Sequence, residues 1–313
     1  MFASMFSIFL ACLCWAFVFV IPSWIIGYSP IEISLGRFFI YGLVCFIWLL
    51  LKKRHLLKQY SFADWRKAAV YGLASTLLCY TGMVCGMRYA SPAISTLIYA
   101  MSPITIALFG NFKNRTLSYK KFIVPFFLML IGIVVSNITA FEERGDNLFL
   151  YILGLIGSFL GLAAWTWYAV DNASFLNKRP DIKVNDWSAM MGTGTFTIVL
   201  SLCIVGFLGS FEFSHFFDIA HGGDSFIIGS LLLGIVSTAL AFFFWNQGTK
   251  KLPISLIGML MMLEVVFGLV LIYLFEQRFP SLLEGLGITC MLSGVLVGCR
   301  SFMKAQLQEI KPL

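Results

Sequence analysis

Glu264 lies near the middle of an apolar run from 253 to 275, where a carboxylate has few ordinary reasons to be. Charge at the centre of a bilayer costs a few kcal/mol or more, so a charge kept there is a functional candidate. No basic residue lies within i,i+4 reach on the same run. Facing a cavity, Glu264 could bind a substrate ammonium or take up a coupling proton. Facing a neighbouring helix, it would be a hydrogen-bonded strut. Arg37 poses the same choice in the run from 30 to 51, with Glu32 a turn and a half away and Tyr41 at i+4 on its face. Its planar fork suits a substrate carboxylate or phosphate, or it could pair with Glu284 near the outer end of the last run and lock helices. Trp15, Trp165 and Trp167 lie deep in their runs rather than at the interfaces where Trp usually gathers, and Tyr80 and Tyr99 are deep as well. An aromatic wall would suit a planar or cationic ligand, at about 0.5–2 kcal/mol per cation–π contact. With 32 Phe among 313 residues, however, most aromatics here must be packing.

The elements that must position these side chains are helices. Ten hydrophobic stretches run from roughly 2 to 24, 30 to 51, 67 to 88, 92 to 112, 118 to 138, 148 to 171, 187 to 209, 225 to 247, 253 to 275 and 281 to 302. Each has about the 20 apolar residues that cross a bilayer core of about 30 Å. Only a helix does so without stranding backbone hydrogen-bonding groups, apart from a closed barrel. Composition agrees: 59% of residues are hydrophobic and 12% charged, with a mean hydropathy of +0.89. The expected fold is an all-α integral membrane bundle with no soluble domain.

The chain also repeats itself. Gly72-Leu73-Ala74-Ser75-Thr76-Leu77-Leu78 lines up with Gly234-Ile235-Val236-Ser237-Thr238-Ala239-Leu240 at an offset of 162 residues. The same offset pairs Gly86 with Gly248, Arg88 with Lys250, and Met129-Leu130-Ile131-Gly132 with Met291-Leu292-Ser293-Gly294. The copies sit five spans apart. Five is odd, so the second copy is expected to cross the membrane in the opposite direction, as two inverted five-helix repeats over residues 1–140 and 141–313. Secondary transporters use that device to rock one half against the other around a midplane site.

Charge sets the expected orientation. With the N-terminus in the cytoplasm, all of the 22 Lys and Arg face that side except Arg37, Arg88, Arg144 and Arg278. Glu142, Glu143, Asp146, Glu212, Asp218, Asp224 and Glu276 fall outside. Positive residues favour the cytoplasmic side, so both termini are expected there. The net charge of +7 is thus a topology signal, with no need for a nucleic-acid partner. The N-terminus lacks the basic stretch of a cleavable signal and is kept as the first span.

Other chemistries find little support. Cys12, Cys14, Cys45, Cys79, Cys85, Cys203, Cys290 and Cys299 all sit in spans without a Cys-x-x-Cys, as small apolar residues would. His55, His215 and His221 are in loops, so a membrane metalloprotease has no ligand set, and no Walker A loop couples ATP. No cofactor or metal is implied. Small residues, among them Gly72, Ser75, Gly82, Gly86, Gly234, Ser237 and Gly248, should form close helix seams. Pro92 and Pro103 should set a helix start and a kink, with a hinge at Pro103 left open.

The ordered set of features resembles the drug/metabolite transporter superfamily, and specifically its EamA-type members. The residues that carry it are Trp15-Ala16, echoed by Trp165, then Leu35-Gly36-Arg37-Phe38, Arg88-Tyr89-Ala90-Ser91-Pro92-Ala93 and Met101-Ser102-Pro103-Ile104. In the second half they are Leu263-Glu264-Val265, Phe275-Glu276-Gln277-Arg278-Phe279, and Gly285, Gly287, Gly294 and Gly298 of the last span. The chain departs from the pattern at Val265, where the family usually has proline, and at Asn114, where it often has an acid. The resemblance implies a bacterial inner-membrane carrier of small polar or amphiphilic metabolites such as amino acids, amines or nucleotide-like compounds. Its expected partners are that substrate, the lipid bilayer, and protons or a counter-substrate. Monomer and homodimer both remain open, as do import and export. Alternatives from other classes are a non-transporting receptor or scaffold and, less well supported, a membrane enzyme.

Overall fold

The computed structural model describes residues 2–102, 104–106, 108–109, 120–142, 147–208, 223–249 and 254–310. Pro103, Asn114, Lys113, Arg115, Lys250, Lys251, His215 and His221 lie outside the described residues. All regular structure among the described residues is helical. In chain order the helices are α1 (Phe2–Trp24), α2 (Pro30–Lys52), α3 (Phe62–Tyr89), α4 (Pro92–Ala100) and α5 (Lys120–Glu142). They are followed by α6 (Leu148–Lys178), α7 (Val184–Leu208), α8 (Gly223–Trp245), α9 (Ile254–Phe275) and α10 (Leu282–Ile310). Helices α1, α2, α3, α6, α7 and α8 are long and apolar enough to cross a membrane. The others carry shorter apolar helical segments: Pro92–Ile106, Ile123–Gly132, Leu263–Phe275 and Leu282–Gly298.

Helix starts follow from local chemistry. Ser29 and Glu32 form a reciprocal capping box at α2, with Glu32 Oε2 accepting from the Ser29 amide at 2.6 Å. Ser61 and Asp64 do the same at α3, and Ser281 and Glu284 at α10. Ser91 caps α4 ahead of Pro92, and Asn147 caps α6. Each cap satisfies amide groups that the helix leaves open, a contribution of about 1 kcal/mol. Between α1 and α2 the chain turns at Gly27, whose φ of 88° is a conformation side chains disfavour. In the α6–α7 loop, the Arg179 guanidinium holds the Asp181 carboxyl below the usual carboxylate range.

Helices α3 and α8 each widen into a π-helical stretch, at Ala74–Leu78 and Leu232–Leu240. The amide of Cys79 reaches back five residues to the carbonyl of Ala74, and that of Ala241 reaches the carbonyl of Val236. These two bonds are themselves 162 residues apart, the offset of the sequence repeat. Hydroxyls explain the widening. Ser75 donates to the Tyr71 carbonyl at 2.7 Å, Thr76 to Gly72 at 2.5 Å, and Thr238 to Leu233 at 2.8 Å. Such back-bonding competes with the helix's own amides and loosens the ladder. π-Helical turns are rare, and they are frequently found at functional sites.

Gly82 on α3 lies against the backbone of α6, so a Cβ there would meet the Gly157 carbonyl and stand 2.9 Å from the Gly161 Cα. Backbone cannot give as a side-chain end can. Gly82→Ala should therefore cost about 1–3 kcal/mol by overpacking, seen as a lower unfolding midpoint of the purified protein in mild detergent. An unchanged midpoint would contradict this seam.

Candidate functional site

Side chains from α1, α2, α3, α4, α6, α8, α9 and α10 converge on a cavity of about 130 Å³. That is roughly ten times the 10–15 Å³ that a single water needs. Trp15 and Trp165 stand in its wall, with Arg37, Thr76, Tyr80, Tyr99, Ser102, Thr238, Phe242 and Glu264. The sequence repeat relates several of these to one another: Thr76 to Thr238, Tyr80 to Phe242 and Ser102 to Glu264 all differ by 162 positions. Equivalent positions in the two copies thus face one space, and the charge of Glu264 is what most distinguishes them.

Arg37 is buried at 7% exposure, and its guanidinium is held by neutral groups. Its Nε donates to Thr238 Oγ1 at 2.9 Å and its Nη2 to the Ser237 carbonyl at 3.2 Å, both on the π-helical part of α8. Beneath it lies the Tyr80 ring, 4.1 Å from the guanidinium carbon, with the Phe38 ring at 5.0 Å. These contacts hold the side chain in place while leaving N–H donors of its fork over. Among the described residues no carboxylate lies within ion-pair distance of it. The Tyr80 hydroxyl is buried with no hydrogen-bond acceptor among the described protein groups.

Glu264 shares the cavity with Arg37. Among the described residues no cation lies within ion-pair distance of its carboxylate. A guanidinium and a carboxyl thus line one cavity without neutralising each other by contact. Aromatic rings complete the wall. Trp15 meets Phe242 edge-on at 5.9 Å and Trp245 at 5.3 Å, and Trp165 lies 5.5 Å from Tyr168. Tyr99 lends its ring to the wall, but its hydroxyl donates to the Cys79 carbonyl at the end of the α3 π-helical stretch.

Glu264, Arg37, Trp15, Trp165, Tyr80 and Tyr99 are therefore brought together. Tyr41 and Trp167 are not. Tyr41 is buried behind the wall, its ring 6.1 Å from Phe242. Trp167 is 38% exposed and touches Tyr71 edge-on at 5.7 Å, as two residues along α6 turn it about 200° from Trp165. The pairing of Arg37 with Glu284 does not form: Glu284 is held by Arg278 at 2.7 Å and by the Ser281 amide. In the sequence Thr76 and Thr238 serve only to align the repeat, and Ser75 and Ser237 to align it and to form seams; the part Thr76 and Thr238 take in the cavity was missed. It also passed over Asp171 at the end of the sixth run, which accepts a hydrogen bond from the Tyr71 hydroxyl at 2.6 Å.

Comparison with known proteins matches the pattern of the EamA-like transporter family twice, over residues 2–138 and again over 152–298. The inner membrane protein YtfF of Escherichia coli strain K12 is 24% identical over 314 residues, covering 96% of each chain. The uncharacterized transporter YyaM of Bacillus subtilis strain 168 is 20% identical over 186 residues, 54% of this chain and 52% of that protein. A solved crystal structure shares the fold with a TM-score of 0.63 at 20% identity, covering 99% of both chains. With apolar helices gathered around a charged central cavity and the family pattern covering nearly the whole length, the chain belongs to the EamA-like transporter family of membrane transporters.

Proposed function

We propose that this protein is a secondary carrier that moves a small zwitterionic metabolite, an amino acid or a compound like one, by alternating access around the central cavity. The observation that carries this reading is the pair of oppositely charged residue types, Arg37 and Glu264, lining one cavity without an ion-pair contact. A substrate carboxylate would take the free donors of Arg37, and a substrate ammonium would sit against Glu264. Each end would then replace hydration with a charge-assisted bond. Trp15 and Trp165 would flank the part between, with the Tyr80 hydroxyl as a further donor. Simple amines and nucleotide-like compounds would use only one of the two charges.

The architecture proposed with it is ten spans in two inverted five-helix repeats, residues 1–140 and 141–313, in the bacterial inner membrane with both termini cytoplasmic. The double family match and the π-helical turns 162 residues apart support the repeat. So do the contacts of Gly72 with α7 at Met191 and Thr195, and of Gly234 with α2 at Arg37 and Ile40. The two halves would rock about the cavity, driven by an ion gradient or by exchange. Glu264 would be the proton-coupling group if a proton is the coupled ion.

The test is a thermal-shift screen of the purified protein against amino acids, amines, nucleosides and cofactors, because a ligand that binds the folded state raises its stability by mass action. A zwitterion should stabilise the wild type, at about 2.7 kcal/mol for a ligand at 100 times its Kd. Glu264→Gln and Arg37→Met should each abolish that shift. A hit that survives Glu264→Gln would remove this residue from the site. Phe127→Leu, on the exposed face of α5 and outside the cavity, should leave the shift of the same ligand unchanged.

A further inference from the structure

Beneath the cavity lies a second layer of contacts that transport through the bundle would have to break. Tyr71 sits on α3 one turn from Ser75, a cavity residue, towards the end of the bundle that carries the Lys52–Lys67 and Lys178–Lys183 basic segments. It is 1% exposed, and the rings around it all belong to the second repeat: Trp167 at 5.7 Å, Tyr168 at 5.9 Å, Trp187 at 6.1 Å and Phe175 at 6.2 Å, each edge-on. Its hydroxyl donates to Asp171, also in the second repeat, at 2.6 Å. One layer further out, Lys53 pairs with Asp186 at 3.0 Å and Asp64 with Arg179 at 2.8 Å. Both pairs join the first repeat to the second. Asp186 is 2% exposed and Asp64 7%, so each pair has one largely desolvated member whose loss of partner would be costly. Lys67 adds a cation over the Phe175 ring at 4.4 Å.

The opposite end is built differently. There, among the described residues, the halves meet through neutral contacts such as Tyr28 stacked on Phe226 at 4.4 Å. Arg278 is tied to Glu276 and Glu284 within the second repeat, and Arg88 to the Ile25 carbonyl within the first. Among the described residues no ion pair joins the repeats at that end.

We infer that the basic end of the bundle is a closed gate, with Tyr71 as its plug and the Lys53–Asp186 and Asp64–Arg179 pairs as its lock. The inference rests on the alternating-access reading of the cavity. Opening towards the basic side requires Tyr71 to leave its aromatic socket and both ion pairs to part. Among the described residues, the contacts between the halves that close the opposite side are neutral packing. The lock therefore biases the empty carrier away from the basic side, and removing charge-assisted ties should shift that two-state equilibrium.

Cys79, which lines the cavity, is the natural reporter. In a variant keeping Cys79 alone, with every other cysteine replaced by alanine, modification by a charged, membrane-impermeant methanethiosulfonate is timed in right-side-out and inside-out vesicles. Ser75→Cys in a cysteine-free background gives a second reporter in the same cavity. With the lock intact, the reporter should be protected from the side that carries Lys53. The double variant Lys53→Met, Arg179→Gln, which breaks both pairs, should raise the rate from that side by at least about tenfold, the worth of even one lost charge-assisted bond in a two-state equilibrium. Tyr71→Phe should raise it by less, and Lys53→Asp with Asp186→Lys should restore protection. At the same time the rate from the opposite side should fall. No rise from the Lys53 side in either Tyr71→Phe or the double variant overturns the gate. A rise there with no fall on the other side keeps the gate and overturns the alternation on which it rests.

Discussion

Everything in this bundle is arranged around the cost of keeping a guanidinium and a carboxylate at membrane depth. Either charge placed in hydrocarbon would cost several kcal/mol, and direct contact between them would offset part of that cost. The protein does not take that solution. It supports Arg37 with a threonine hydroxyl, a carbonyl and two aromatic faces, and leaves Glu264 across the cavity. Charges held apart in this way stay available to something that enters between them.

The support for Arg37 depends on the irregularity of α8. The widened turn at Leu232–Leu240 contains both Thr238, which receives the guanidinium, and Ser237, whose carbonyl receives it as well. Thr238 in turn donates back to Leu233 at 2.8 Å, so one hydroxyl fixes both the helix distortion and the arginine. Gly234 lets the same stretch approach α2 closely, with the Arg37 carbonyl 2.9 Å from where a Cβ would sit. Local sequence, helix shape and site geometry are therefore one device. Its counterpart on α3 keeps the hydroxyl of Thr76 and the close glycine at 72 but faces no arginine, since position 199, which matches Arg37 at the same offset, is valine.

Much of this was legible in the sequence because the membrane makes polar residues conspicuous. Glu264, Arg37, Trp15, Trp165, Tyr80 and Tyr99 stand out against an apolar background, and all six reach the cavity. Trp167 stood out equally, but helical periodicity turns it away from Trp165, and burial behind Phe242 removes Tyr41 from the wall. The hydroxyls were harder to read, since serine and threonine satisfy themselves on their own helix and carry no signature of facing a cavity. Helix lengths differed for a related reason. Hydropathy marks the stretch that matches the bilayer core, whereas α3 begins earlier, at the Ser61–Asp64 cap, and α6 runs on to Lys178. Tyr71 lies just inside the third run and Asp171 at the last position of the sixth, where nothing in the sequence marks the contact between them.

The most direct measurement is flux of the stabilising zwitterion into proteoliposomes preloaded with the same compound, comparing wild type with Arg37→Met and Glu264→Gln. If the two charges hold the two ends of the substrate, wild-type vesicles accumulate label and both variants lose exchange while remaining folded. Undiminished exchange in both folded variants would contradict the assignment of the cavity as the substrate site.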